Sequence, residues 1–140
     1  MASGTIYGST GNQYIDSKIE WSATANTSAN TSSVTASLYY KRNNTGFETK
    51  GTGNFAISID GQSASTSKYM TITGSSWVLA VTATKTVSHN GDGTKAITIS
   101  ASGSIPDTTL SSTSCSGRVS LDTIPRASTL TSASNKTDFG

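Results

Sequence analysis

Side chains able to do acid–base, nucleophilic or metal chemistry are few in this chain: eight Asp and Glu, one His and one Cys in 140 residues. Hydrolysing a glycoside takes two carboxyl groups facing each other across a cleft. Asp16 and Glu20 share one strand face, but four residues of extended chain separate them by about 13 Å at roughly 3.3 Å per residue. That pair is too distant and too exposed to act on one bond. His89 stands at a polar turn, where its expected role is to hydrogen-bond its own loop. Cys115, between Ser114 and Ser116, lacks the cationic or imidazole neighbour that activates a thiol, and reads as a buried structural residue. Phosphate loops, nucleophile elbows and zinc-ligand spacings are missing. The expectation is a protein without catalysis.

Calcium binding is the other chemistry the residue types allow. Asn90 and Asp92, in the run His89-Asn90-Gly91-Asp92-Gly93-Thr94-Lys95, offer oxygens beside backbone carbonyls. Further oxygens would have to come from Asp60 or Asp107. Asn-Gly and Asp-Gly also supply the positive φ values of tight reversals, which needs no metal. The expectation is a chain without a resident cofactor, with calcium at Asn90 and Asp92 as the alternative.

Sugar binding on a β-protein uses an exposed aromatic ring stacked on a pyranose, with a few polar groups fixing orientation. Tyr39 falls on the parity opposite to Leu38 and Tyr40, so it should face outward with Lys41 beside it. Tyr14, Phe47 and Tyr69 are also out of phase with the apolar set or lie in loops. Trp21 is in phase with Ile19, and Trp77 with Leu79 and Val81, so both tryptophans read as core by parity; Trp77 stays among the candidate ligand contacts. The expected binding set is therefore Tyr39, Lys41, Tyr14, Phe47, Tyr69 and Trp77. The competing reading of Tyr39 and Lys41 is a cross-strand pair decorating a sheet.

The elements that position these residues are strands. Two-residue alternation runs through 3–7, 13–25, 34–41, 55–59, 67–73 and 117–123, with a weak segment at 109–114. The tracts 26–32 and 43–53 read as polar loops, and Asp60-Gly61 as a reversal. Alternation on both sides of the 89–95 run predicts one long β-hairpin over about 77–102. No stretch has helical periodicity with caps. The expected fold is all-β: an antiparallel two-sheet sandwich, jelly-roll-like, of eight or nine strands, with an immunoglobulin-like key as the second choice. Ile124-Pro125-Arg126 marks a boundary, dividing a sandwich domain at 1–125 from a Ser/Thr-rich linker, or the start of another domain, at 126–140.

Composition narrows the class. The chain holds 26 Ser and 24 Thr, and only 13% of residues are charged. Its apolar residues sit in alternating runs, a placement disordered chains lack. A formal charge of +2 with no Lys/Arg cluster argues against nucleic acid. No apolar run approaches the roughly 20 residues that span a bilayer. The first residues lack the charged start and apolar stretch of a signal peptide. One cysteine excludes an intramolecular disulfide framework. The sequons at Asn26, Asn30, Asn43 and Asn135 bear on glycosylation only in a eukaryotic secretory pathway.

Three segments, in order, carry a family resemblance: Ser3-Gly4 through Tyr14-Ile15-Asp16-Ser17-Lys18-Ile19-Glu20-Trp21, the turn with Thr94-Lys95, and Leu121-Asp122-Thr123-Ile124-Pro125-Arg126-Ala127-Ser128. Together they resemble the N-terminal β-sandwich of minor structural or tail proteins of siphophages and prophages of Gram-positive bacteria. The resemblance covers roughly residues 3–128. It implies a virion or extracellular location near the host-adsorption end and a likeness to carbohydrate-binding modules, and it brings no catalytic motif. The expected function is a non-catalytic phage-tail module binding cell-surface or cell-wall carbohydrate, in contact with other virion proteins and open to oligomerisation. The alternatives are a purely structural virion domain and the binding appendage of a secreted glycan-degrading enzyme.

Overall fold

The computed structural model describes residues 2–106, 108, 110 and 112–126. The expected linker from 127 onward, Asp107 and parts of the weak 109–114 segment lie outside these residues. Nine strands and no helix make up the regular structure described. They are β1 (Ala2–Tyr7), β2 (Ser9–Thr10), β3 (Ile15–Asn26), β4 (Thr31–Arg42), β5 (Thr49–Ile59), β6 (Gln62–Ile72), β7 (Val78–Ser88), β8 (Ala96–Ser104) and β9 (Thr113–Ser120). A four-stranded sheet in the order β1-β3-β4-β7 packs on a five-stranded sheet in the order β2-β9-β8-β5-β6, every pair antiparallel. This is the expected two-sheet sandwich.

Alternation does the positioning. Ile15, Ile19, Trp21 and Ala23 of β3 and Val34, Ala36, Leu38 and Tyr40 of β4 face the second sheet, where Phe55, Ile57, Ile59, Ile97 and Ile99 meet them. Ile19, Leu38, Tyr40 and Ile99 are fully covered, and each such side chain contributes about 1.5–3 kcal/mol relative to exposure. Cys115 and Trp21 are buried, as expected. On the outer face of the first sheet, hydroxyls pair across β4 and β7: Thr35 with Thr84 at 2.9 Å and Ser37 with Thr82 at 2.7 Å.

The long hairpin expected over 77–102 does not form. β7 belongs to the four-stranded sheet and β8 to the other, and no ladder joins them. Alternation reports which face is buried, not which strand is the neighbour, and a strand on either layer reads alike. The 89–95 run bridges the layers instead. His89 is buried, with Nδ1 2.7 Å from the Gly93 carbonyl and Nε2 2.7 Å from the Ser32 hydroxyl. A carbonyl only accepts, so Nδ1 donates to Gly93, while Nε2 shares a hydrogen bond with the Ser32 hydroxyl. His89 thus ties its loop to β4, close to its expected role. Tight reversal does occur at Asp60-Gly61, whose φ values of 51° and 82° suit the hairpin turn of β5 into β6. Two expected loops are also shorter than read: only residues 27–30 separate β3 from β4, and β5 begins at Thr49. Residues 113–114 of the weak segment and 117–120 of the last expected strand belong to one strand, β9, which runs from Thr113 to Ser120.

The edges are closed by the chain itself. β1 pairs with β3, and after Gly8 the chain crosses to pair with β9 as β2, covering one side of both sheets. On the other side, Lys68 Nζ donates to the Leu79 carbonyl at 2.7 Å and Gln62 Nε2 to that of Thr86 at 2.9 Å, joining β6 to β7. Past β9, the Ile124 amide donates to the Gly93 carbonyl at 2.9 Å, and an Arg126 nitrogen donates to the Thr27 carbonyl at 3.1 Å. The chain therefore leaves β9 at the end holding links 27–30, 60–61 and 89–95; links 11–14, 43–48 and 73–77 lie at the opposite end.

Candidate functional site

An irregularity in β7 builds the most distinctive surface. Leu38 pairs with Val81, but the next residue, Tyr39, pairs with Leu79, so Ala80 has no partner across the ladder. Two residues facing one is a β-bulge, and it inverts the parity of everything on its far side. Ala80 and Val81 are consequently both buried, at 2% and 6% exposure. Leu79 and Trp77 turn to the outer face. This corrects the assignment of Trp77 to the core: parity counted back from Val81 assumed an unbroken strand. The signal was present, since Val78-Leu79-Ala80-Val81 is apolar at four consecutive positions where a one-sided strand should alternate.

Trp77 meets two lysines there. Lys18 Nζ lies 4.4 Å and Lys41 Nζ 5.3 Å from its ring centre, within cation–π range. Lys18 Nζ is also 5.6 Å from the centre of the Tyr39 ring. Register explains the meeting, because Tyr7, Lys18, Tyr39 and Leu79 form one row across β1, β3, β4 and β7, with Asp16 and Lys41 in the next. Lys18 is only 9% exposed and donates to Glu20 Oε2 at 2.6 Å. Sequence reasoning missed Lys18, since nothing within β3 reveals which residues of β4 and β7 stand beside it.

The other candidates divide. Tyr14 and Phe47 pack together, ring centres 5.6 Å apart, beside a depression of about 550 Å³ lined with Gly11, Asn12 and Gln13. They share the sandwich end with Trp77. The Asn43 side-chain amide fastens the two regions, donating to the Gln13 carbonyl at 2.9 Å and to Asp16 Oδ1 at 2.7 Å. Tyr69 is 60% exposed but belongs to β6, where Met70 and Ile72 point inward, so it faces out from the opposite sheet and joins neither group.

At the Gly-rich link, Asp92 Oδ1 accepts from the Thr94 amide at 3.0 Å and its hydroxyl at 2.6 Å. The Thr94 bonds hold the Asp92 carboxyl below its ordinary pKa. Asn90 turns its side-chain amide to Thr94 at 3.1 Å, and Asp60 lies 3.7 Å from Lys95. Among the described residues, no three His, Cys, Asp or Glu side chains group as metal ligands.

Fold and surface together define an antiparallel β-sandwich with an aromatic and cationic outer face at one end. Residues 12–140 match the family described as "Siphovirus protein of unknown function (DUF859)", and the chain belongs to that family. Membership points to a phage structural or virion-associated role. No curated protein and no solved structure matches the chain.

Proposed function

We propose that this domain is a non-catalytic module of the phage tail that binds carbohydrate on the surface of a Gram-positive host. The bulge at Ala80 carries the reading: it presents Trp77 on the outer face, beside Tyr39 and Lys41. Tyr14 and Phe47 stand at the same end, away from where the chain leaves β9. Aromatic rings with adjacent amide and ammonium groups suit a sugar's apolar face and hydroxyls. Single-site binding of this kind is weak, and several copies acting together raise it. We read the module as working without a resident metal, with Asp92 Oδ1 accepting from the Thr94 amide and hydroxyl as a brace of the turn.

The test is binding of the purified domain to host cell walls and to a glycan array, alongside Trp77→Ala, Tyr39→Ala and Tyr14→Ala. The expected result is retention on walls, lost in Trp77→Ala and Tyr39→Ala while both variants still unfold in one cooperative transition, and unaffected by EDTA. Absence of binding to every wall and glycan would instead support a purely structural virion domain, and binding indifferent to all three substitutions would overturn the assignment of the site to this face.

A further inference from the structure

Beside Trp77 a depression of about 240 Å³ is lined by Lys41, Arg42, Asn43, Asn44, Thr45 and Ser75. Its two cations differ in availability. Arg42 Nη1 donates to the carbonyls of Thr45 and Phe47, each at 3.1 Å, and lies 3.9 Å from Glu48. Its guanidinium is occupied in holding the β4–β5 link. Lys41 has no carboxylate within ion-pair distance among the described residues. Its cross-strand neighbour Asp16 accepts from Asn43 instead, and Glu20 is taken by Lys18.

Resting on the carbohydrate-binding reading, we infer that the ligand is an anionic glycan, whose sugar ring lies against Trp77 and Tyr39 while its negative group enters the depression at Lys41. Two ammonium groups near one indole draw on its π density, so the C–H groups of a neutral sugar gain less from that ring. A negative group in the same place meets the Lys41 ammonium directly, while Lys18 stays paired with Glu20. Thr45 and Ser75 add hydroxyl donors along the wall. Phosphodiester and carboxylate groups share this chemistry.

The experiment titrates the domain with a phosphodiester-linked polysaccharide, with polygalacturonate and with dextran, from about 50 to 500 mM salt. The expected outcome is binding to at least one anionic polymer, weakening as salt rises, with little binding to dextran. Lys41→Gln should weaken that binding about tenfold, the size of one charge-assisted contact, and flatten its salt dependence; Lys41→Arg should retain most of it. The two anionic polymers separate phosphate from carboxylate as the recognised group. Salt-insensitive binding to dextran that Lys41→Gln leaves intact would overturn the anionic assignment while carbohydrate binding stood. Failure to bind any polymer or host wall would remove both.

Discussion

Lys18 holds its ammonium 4.4 Å from the centre of the Trp77 ring, so a strand near the start of the chain supports an aromatic from the link before β7. The lysine is almost covered, and its charge is met by Glu20 and by the rings of Trp77 and Tyr39. Lys18→Met keeps the aliphatic stem and removes that charge. In a Trp21→Phe background, the emission maximum of Trp77 should shift, and urea unfolding should show a loss of about 1 kcal/mol. Unchanged emission together with an unchanged midpoint would show that this stack contributes nothing.

Deleting Ala80 removes the bulge and restores strict alternation. The chain must then either drive Trp77 and Leu79 toward the interior or slip the remainder of β7 by one residue, exposing Val81, Ala83 and Val87. A loss of about 1–3 kcal/mol in urea unfolding is expected, along with loss of wall binding. The control Ala80→Gly keeps the residue count and should cost far less. A deletion variant as stable as the parent would show that the bulge does not determine where Trp77 points.

Tyr40 links stability to alkaline pH. Its ring packs on Phe55, its hydroxyl meets Thr113, and burial pushes its phenol from 10.0 up to about 12. A pKa raised in the folded state stabilises fully below the unfolded value, and the contribution is lost as pH climbs from about 10 toward 12. Two units correspond to about 3 kcal/mol. Burial raises the Cys115 thiol in the same direction. The urea midpoint should fall above about pH 10, and Tyr40→Phe should fall less steeply there despite a lower starting stability. Equal slopes for the two proteins would contradict this account.

Gly93 has φ of 87°, and a side chain there would collide with the Ile124 backbone. Gly93→Ala should therefore cost about 1–3 kcal/mol and loosen the segment after β9. Faster trypsin cleavage after Arg126, which now donates to the Thr27 carbonyl, is the expected readout. Cleavage at the parental rate would show that Gly93 does not hold this segment.

Parity along the chain made the sandwich legible, including Tyr39 outward, Tyr40 inward and Cys115 covered, because one-sided burial writes a two-residue period into a strand. Neighbour relations were not legible. β7 and β8 carry the same period as a hairpin would, yet they lie in different layers, and only long-range pairing distinguishes the two arrangements. The site followed the same division. Tyr39 and Lys41 emerged from one strand's alternation, whereas Trp77 depended on a single unpaired alanine and Lys18 on the register of three strands. Tyr69 shared the outward signal but faces out from the other sheet, and periodicity does not say which sheet a strand joins.

The amine of Lys68 and the amide of Gln62, resting on the carbonyls of Leu79 and Thr86, have an effect beyond holding two strands together. An uncapped β7 would offer those oxygens to any extended peptide, including another molecule of the same protein. Capping them removes two of the acceptors that an incoming strand would use, a local guard against edge-to-edge pairing.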